Sequence, residues 1–422
     1  MYPENAYNCG STNSNPLSVF GKFILREHLM LAFCDFPGHF QLMLLCARRN
    51  CCDEDLVQIR ELIAQPEFNW PEMLAVTTHH RLSSLVFETL DRVRTQGVPR
   101  FVYEDLQRQA QGNAFEALRC TAEVQRLGRL YAEGGLEFSV LKGVALSQFL
   151  FGNANARHVG DIDLLTSPTR LAEQLELFKK AGYTVLNPTC RLTPHRIASY
   201  VTFWKDFTLE NRTLGFELDL HWRLFNNRFH AANPMLSHAC YTTIEVFGVP
   251  MRVFSPRDQF IYIAAHGLSD AWTYFKSLAD VAAFLDLFDE DDLEAALARA
   301  EELGLLGQMS AAIHLSNDWM GTRADSPRLL PATDPIAMQV RERTTESLLK
   351  HNFRPHRSYT SPASWLAFEL RLVPGIRSFL EVVRRFVWRP RVWKSVDLPD
   401  KLFWIYPLVG LLILPRQHTL EE

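Results

Sequence analysis

The sequence predicts an α+β fold, in which a small mixed sheet with helices is flanked by helical N- and C-terminal regions. Residues 20–130 carry apolar side chains at three- and four-residue spacing, which is the period of an amphipathic helix. Residues 131–250 instead contain short apolar or alternating runs separated by glycine and proline, as strands and turns do. Helical spacing returns in residues 251–345.

The N-terminal part is predicted to be a tail followed by helices. Residues 1–19 are polar and lack the basic and apolar segments of a secretory signal, so we expect a disordered tail. Asn69-Trp70-Pro71 begins a helical pattern that extends from Phe68 to Leu90, because proline is favoured in the first turn of a helix. Phe101–Leu130 is predicted to be a longer helix. Its expected apolar stripe consists of Phe115, Leu118, Val124, Leu127 and Leu130.

The central region is predicted to alternate strands and helices and to end in a hairpin. Ser167-Pro168 combines an N-cap with a first-turn proline, and Gly182 ends the helix that follows. Residues 210–213 would form the hairpin turn. The predicted strands are 138–141, 160–166, 183–186, 200–207 and 216–222, and a further helix covers 144–151.

The C-terminal part returns to helices. Ser255-Pro256 opens a helix that reaches about His266, and residues 346–422 form an extension rich in Arg, Trp and Pro. Between them we expect helices at 272–287 and 289–303 and a loop at 322–335.

Composition excludes several classes of protein. A net charge of −4 argues against a general nucleic-acid binder, and the eight scattered cysteines suit reduced thiols rather than a disulfide framework. The apolar run Leu402–Leu414 is interrupted by Pro407 and Gly410 and is shorter than the roughly 18 residues that span a bilayer. We therefore expect a cytoplasmic protein. The Arg- and Trp-rich extension leaves open a peripheral membrane contact, while an RNA contact there is not favoured.

Two acidic strands predict a metal site. In the run Asp161-Ile162-Asp163-Leu164-Leu165, Asp161 and Asp163 point to the same face and repel each other, a cost that a divalent cation relieves. Glu217, Asp219 and His221 likewise share one face of the later strand. Carboxylates are the ligands of hard cations such as Mg²⁺ or Mn²⁺.

The catalytic and metal-binding set is therefore predicted to be Asp161, Asp163 and Asp219. Asp219 would serve as a metal ligand or as a general base near the acceptor hydroxyl. We prefer Asp219 because Leu218 and Leu220 frame it as apolar residues frame the first pair, and Glu217 stays the competitor. Such a set on neighbouring strands is typical of a nucleotidyl-transfer site.

Nucleotide-binding candidates surround the acidic strands. Gly143 permits a turn whose backbone amides approach an anion, and Lys142 adds a positive charge for phosphate. Arg157 could contact a phosphate or hold the acidic strand in place, with a solvated loop arginine as the plain alternative. His221 could bind phosphate, position Asp219, or pack in the core.

Together these residues resemble the uncharacterised nucleotidyltransferase family of the polymerase-β superfamily. The resemblance covers roughly residues 70–290 and implies a polymerase-β-like core that moves a nucleoside monophosphate from an NTP to a hydroxyl or phosphate acceptor and releases pyrophosphate. It departs from the wider superfamily at Val144, where a serine usually follows the glycine. The segments that carry it are Lys142-Gly143, Arg157, Asp161–Leu165, Gly182-Tyr183, Glu217–Trp222, Ala265-His266-Gly267, Trp272, Leu278 and Ala279-Asp280-Val281.

The resemblance also implies that the helical region after the core closes over the nucleotide, which makes His266 a nucleotide-binding candidate. A His266–Asp280 pair, or a surface ion pair between Lys276 and Asp280, is the structural alternative. The acceptor, and whether ATP, CTP or another NTP is used, stay open. Two other functions also stay open, a non-catalytic nucleotide-binding or interaction module of a biosynthetic system and a toxin-like enzyme acting on tRNA.

Overall fold

A computed structural model describes residues 31–93, 97–355, 370, 372–373, 375–388 and 390–413. The predicted tail at residues 1–19 lies outside the described residues. The α+β class is confirmed. The described helices are α1 (Gly38–Cys46), α2 (Asp53–Ile63), α3 (Trp70–His79), α4 (Ser83–Val93), α5 (Arg100–Glu133), α6 (Val144–Phe151), α7 (Leu171–Lys180), α8 (Pro194–Phe203), α9 (Pro256–Ser269), α10 (Lys276–Leu287), α11 (Glu290–Glu302), α12 (Leu306–Met320), α13 (Pro335–Lys350), α14 (Ile376–Val387), α15 (Pro390–Ser395) and α16 (Tyr406–Ile413).

The central sheet has five strands in the order β1-β2-β5-β4-β3. The pair β2–β5 is parallel, and the other neighbours are antiparallel. A separate hairpin is formed by β6 and β7. The strands are β1 (Ser139–Val140), β2 (Ile162–Leu165), β3 (Thr184–Asn187), β4 (Asp206–Asn211), β5 (Phe216–His221), β6 (Tyr241–Val246) and β7 (Val249–Phe254).

Strand alternation separates an apolar face from an acidic face of this sheet. Leu164 and Leu218 are fully buried and pack with Leu127 of α5 and Phe178 of α7. Because successive side chains of a strand point to opposite faces, the carboxylates of β2 and β5 lie on the other side, where α9 and α10 cover the sheet. The sheet therefore presents its acidic face to a helical wall.

The helices before and after the sheet share one hydrophobic core. Phe40 of α1 makes an edge contact with Phe275 at 5.2 Å between ring centroids, and Phe36 meets Trp319 of α12 at 5.4 Å. The buried His80 Nε2 lies 2.8 Å from the Phe353 carbonyl oxygen. The two helical regions, distant in sequence, thus pack as one body. The predicted domain boundaries stay a prediction.

Two helical predictions at the N-terminus were wrong in detail. The pattern from Phe68 to Leu90 is two helices, because Arg81 adopts φ 61° between α3 and α4 and turns the chain. Phe115 and Leu118 are exposed, at 62% and 51%. The buried face of α5 instead includes Asn113, Ala117, Cys120 and Val124. The predicted stripe therefore lies on the wrong face of the helix at Phe115 and Leu118, and on the buried face from Val124 onward.

The strand predicted at 200–207 was also wrong. Thr193 Oγ1 accepts a hydrogen bond from Arg196 N and Pro194 occupies the first turn, so α8 runs through Phe203 and β4 begins only at Asp206. The helix predicted from Trp272 begins at Lys276, because Ala271 and Trp272 have positive φ in the preceding turn. The β6–β7 hairpin was not predicted.

Within the described residues, no helix is both long enough and apolar enough to cross a bilayer. The cysteines in the same part of the chain are free thiols.

Candidate active site

Parallel pairing of β2 with β5 sets Asp163 directly beside Asp219. His221 follows two residues later on the same face of β5. One ligand atom from each of Asp163, Asp219 and His221 lies within 4.8 Å of the others. We call these three residues the acidic cluster. The structure thus brings together two of the three predicted metal ligands and adds a histidine that was predicted to bind nucleotide.

Asp163 is buried and held by two positive or hydrogen-bonding partners. His221 Nε2 lies 3.0 Å from its Oδ1, and Lys142 Nζ lies 3.3 Å from the same oxygen. Burial alone would raise the pKa of Asp163, but the Lys142 ammonium and the His221 hydrogen bond hold that pKa well below its usual value. Asp163 is therefore ionised at any pH at which the protein would work.

Lys142 follows β1 at the turn that the sequence predicted. Gly143 adopts φ 70° there, a conformation that favours glycine, and α6 begins at the next residue. Burial lowers the pKa of Lys142, but the carboxylates of Asp163 and Asp161 outweigh it and raise that pKa. Lys142 is thus a fixed positive charge at the edge of the acidic cluster.

Asp219 titrates differently from Asp163. Burial, followed by repulsion from the Asp206 and Asp163 carboxylates, raises the pKa of Asp219 to about 6. Burial and repulsion thus both disfavour the ionised form of Asp219, a cost that a bound cation would relieve.

Lys205 and Asp206 extend the network and were not predicted. Lys205 Nζ lies 2.5 Å from Asp206 Oδ2, which in turn lies 3.5 Å from His221 Nδ1. They were missed because the interval 200–207 was assigned to one strand, which hid the start of β4. The polar pair directly before an alternating run was the available signal.

Asp161 and Glu217 precede Asp163 and Asp219 by two residues each, Asp161 directly before β2 and Glu217 within β5. Ile162 is paired with Leu218, so the residues before them are neighbours across the ladder. Among the described residues, Asp161 is not part of the 4.8 Å group, although it was predicted to bind metal with Asp163. Asp161 and Glu217 line an adjoining cleft instead.

This cleft has a volume of about 440 Å³ and lies between the acidic face and the helical wall. Its positive side chains belong to Arg81, Lys142, Arg157 and Lys276, and Arg81 lies 4.3 Å from the Tyr274 ring centroid. The remaining lining includes His158, Gly160, Asp161, Gly215, Glu217, Ile263, His266, Gly267, Asp270, Trp272, Thr273, Tyr274 and Ser277. A cleft with carboxylates at its base and four cations around it suits a polyanion carried with a metal ion.

Arg157 lines the cleft but is held from behind by Asp280. Its Nε lies 2.9 Å and 2.8 Å from the two carboxylate oxygens, and both side chains are buried. Of the two structural alternatives for Asp280, neither the Lys276–Asp280 surface pair nor the His266–Asp280 pair forms, because Asp280 is buried and pairs with Arg157. His266 Nδ1 lies 3.9 Å from Asp270 Oδ2 instead.

Lys276, at the first turn of α10, was not predicted as a site residue. Burial, then repulsion from Arg157, Arg81 and Lys142, lowers the pKa of Lys276 well below its usual value. In the described part of the chain its ammonium has no ion-pair partner within 4.0 Å. Asp161 and Asp280 act on it electrostatically, but no carboxylate pairs with it as Asp280 pairs with Arg157.

The two histidines of the cleft are neutral at physiological pH. Burial, then the Lys142 charge, lowers the pKa of His266 to about 3. Burial, then Lys276, lowers the pKa of His158 to about 4. Both can donate or accept hydrogen bonds but add no charge to the cleft.

Adjacent strands that present carboxylates to a cation-lined cleft define a nucleotidyltransferase-like site. Residues 66–321 match the family of uncharacterised nucleotidyltransferases, and because this span is more than half of the chain, the chain belongs to that family. The predicted resemblance is confirmed.

Among solved structures, an antigenic nucleotidyltransferase-like protein from Paracoccidioides brasiliensis is similar, with 14% identity and a TM-score of 0.30. The likeness covers 50% of this chain and 96% of that one. No curated protein matches the chain.

Proposed function

We propose that the protein transfers a nucleoside monophosphate from an NTP to a hydroxyl or phosphate acceptor and releases pyrophosphate. The observation that carries this proposal is the side-by-side placement of Asp163 and Asp219 on β2 and β5, beside the cation-lined cleft to which Asp161 and Glu217 contribute. Membership of a nucleotidyltransferase family supports the nucleotide as substrate. The acceptor stays open.

The acidic cluster fits a divalent cation. Its two carboxylates and one imidazole are donors that Mg²⁺ or Mn²⁺ accepts, and a bound cation would offset the burial and the repulsion that raise the pKa of Asp219. Asp161, close by in the cleft, is available as a further ligand on the nucleotide side. When bound, the cation would supply charge compensation to the phosphoryl oxygens.

The cations of the cleft would bind and orient the triphosphate. Lys142 is fixed by Asp163, Arg157 is fixed by Asp280, and Lys276 and Arg81 complete the positive wall. Side chains held in place before the substrate arrives need little reorganisation when charge develops on the phosphoryl group. Positioning and charge stabilisation therefore account for most of the proposed catalysis.

Asp219 would act as the proton acceptor. The acceptor oxygen forms a bond to the α-phosphorus, the bond from that phosphorus to the bridging oxygen of the β-phosphate breaks, and pyrophosphate leaves. The hydroxyl proton passes to an Asp219 oxygen, for which a pKa of about 6 is suited near neutral pH. His266 and His158, being neutral, would contribute hydrogen bonds to the nucleotide.

Pyrophosphate release tests this proposal. Purified protein with Mg²⁺ is incubated with each NTP and a cell extract that supplies acceptors. Asp163→Asn and Asp219→Asn are each expected to reduce release more than a hundredfold, on the order of what one essential acid–base group contributes. Glu217→Gln is the matched variant and is expected to retain most of the activity.

Other outcomes assign the function differently. Undiminished release by the double variant Asp163→Asn/Asp219→Asn would contradict the proposal. NTP binding that needs Mg²⁺ but leads to no release with any extract would favour the non-catalytic nucleotide-binding module. Loss of activity in Glu217→Gln with retention in Asp219→Asn would exchange the roles of these two carboxylates.

A further inference from the structure

Helix α14, in the C-terminal segment, turns its polar side toward the protein. Ser378 Oγ accepts a hydrogen bond of 2.7 Å from Asn227 Nδ2, and Arg228 Nε lies 3.1 Å from the Glu381 carboxylate. Ser378 and Glu381 are almost fully buried, as is Arg385. These contacts, made with the loop that follows β5, fix the rotation of the helix about its axis.

The opposite side of α14 is apolar and exposed. Ile376, Phe379, Leu380 and Val383 follow helical spacing and form what we call the outer stripe, in which Ile376 is 70% exposed. α16 packs beside α14, and the residues leading into it and within it add Leu402, Trp404 and Leu408, of which Trp404 is 66% exposed. A helix that buries Ser378, Glu381 and Arg385 and exposes an apolar stripe is expected to meet another apolar body.

The same segment carries unpaired positive charge. Arg377, Lys394 and Lys401 are exposed, and within the described residues none of them has an ion-pair partner within 4.0 Å. The neighbouring acids are engaged, since Arg196 lies 2.6 Å from Asp397 and 3.8 Å from Asp400. These three exposed positive charges contrast with the net charge of −4 of the whole chain.

We propose that the outer stripe and its basic residues dock the protein on an anionic lipid surface. Apolar side chains with an exposed tryptophan suit the headgroup region, and the exposed arginine and lysines of the same segment attract anionic lipids. A second copy of the chain would bring the same positive charges against each other in a two-fold interface. RNA is less suited, because aliphatic side chains offer no surface for stacking bases.

Vesicle co-sedimentation of the full chain tests this. We expect binding to vesicles of phosphatidylcholine with phosphatidylserine, weakened by salt, and little binding to phosphatidylcholine alone. Each change among Arg377→Gln, Lys394→Gln and Lys401→Gln is expected to lower the partition coefficient about fivefold. Phe379→Glu/Leu380→Glu is expected to abolish binding while circular dichroism and pyrophosphate release stay unchanged.

A matched control separates the outer stripe from exposed apolar residues in general. Val57→Glu/Phe101→Glu changes two such residues elsewhere and is expected to bind vesicles as the wild type does. Equal binding of all variants, or no preference for anionic vesicles, would overturn the proposal. So would a wild-type oligomer that Phe379→Glu/Leu380→Glu dissociates, which would assign the stripe to a second copy, or RNA binding lost in that variant without vesicle binding.

Discussion

Asp163 and Asp219 lie next to each other on parallel strands, yet their surroundings give them opposite pKa shifts. Lys142 and His221 keep Asp163 ionised, while burial and then the repulsion of Asp206 and Asp163 raise the pKa of Asp219. The sequence could predict the carboxylates and their shared face, because strand alternation is a property of a single chain segment. It could not predict which basic side chain would form an ion pair with Asp163, because the fold brings Lys142 to that carboxylate.

The raised pKa of Asp219 predicts a pH-dependent stability. The folded protein holds a proton on Asp219 up to about pH 6, whereas the usual pKa is 3.8, so the associated stability is present below 3.8 and is lost as the pH rises through 6. Asn cannot ionise. In metal-free protein, Asp219→Asn is therefore expected to raise the free energy of unfolding by at most about 3 kcal/mol at pH 8 and hardly at pH 3.5.

Urea unfolding with a chelator present, at both pH values, measures this difference. Asp161→Asn, an exchange of the same kind in the cleft, serves as the comparison. An Asp219→Asn protein that is less stable than the wild type at pH 8 would show that the fold does not disfavour the ionised form of Asp219.

The crowding of Lys276 by Arg157, Arg81 and Lys142 predicts a second effect. A phosphate in the cleft would pair with its ammonium, so Lys276→Met is expected to weaken NTP binding about tenfold or more, since a hydrogen bond to a charged group contributes about 1.5–3 kcal/mol. Calorimetric titration with Mg²⁺ and NTP measures the affinity. Lys180→Met, an exposed lysine of α7, is the control. Equal affinities for all three proteins would exclude Lys276 from the phosphate site.

At the scale of elements, local signals succeeded where they were strong. Ser255-Pro256 and Asn69 with Pro71 began helices where N-caps and first-turn prolines predict them. The same signal at Thr193-Pro194 was overlooked, and α8 was mistaken for a strand. The phase of the buried stripe in α5 depends on which helices and strands pack against it, and local spacing does not contain that information.

The turn between α9 and α10 requires a residue without a side chain at Gly267. A Cβ added at Gly267 would overlap the indole ring of Trp272, whose positive φ turns the chain along the cleft wall. Gly267→Ala is expected to destabilise the protein by about 1–3 kcal/mol through overpacking. Gly112→Ala, in the interior of α5 with open space around it, is expected to stabilise by up to about 1 kcal/mol.

Thermal unfolding of both variants measures the contrast. A Gly267→Ala protein as stable as the wild type would show that the Trp272 turn moves freely. Lower NTP affinity in Gly267→Ala at a temperature where it is fully folded would link the turn to the cleft.

At the scale of the whole molecule, the helices before and after the sheet form one core. Phe40 is fully buried between Phe275 and His80. Phe40→Ala is expected to destabilise the protein by about 3–5 kcal/mol and to raise hydrogen exchange in α10 and α12 together with α1. Val57→Ala, exposed on α2, is the control and is expected to change stability by less than about 0.5 kcal/mol. Faster exchange confined to α1–α4 would contradict a shared core.

The packing of these distant helices against each other could not be predicted from the sequence. Helical spacing indicates that a face is buried but not which element it packs against. This packing has a consequence for function. The wall that covers the acidic face consists of α9 and α10, and α1 supports that wall from behind. The N-terminal helices therefore contribute to the cleft without lining most of it.

The position of the transferred phosphorus tests the central claim most directly. The wild-type protein is incubated with Mg²⁺, extract and NTP labelled either in the α- or in the γ-phosphate, with Asp163→Asn/Asp219→Asn as the inactive control. The account predicts that the α label moves to an acceptor and the γ label appears only in pyrophosphate. A γ label on the acceptor with the α label left in NDP, or α transfer that persists in the double variant, would contradict it.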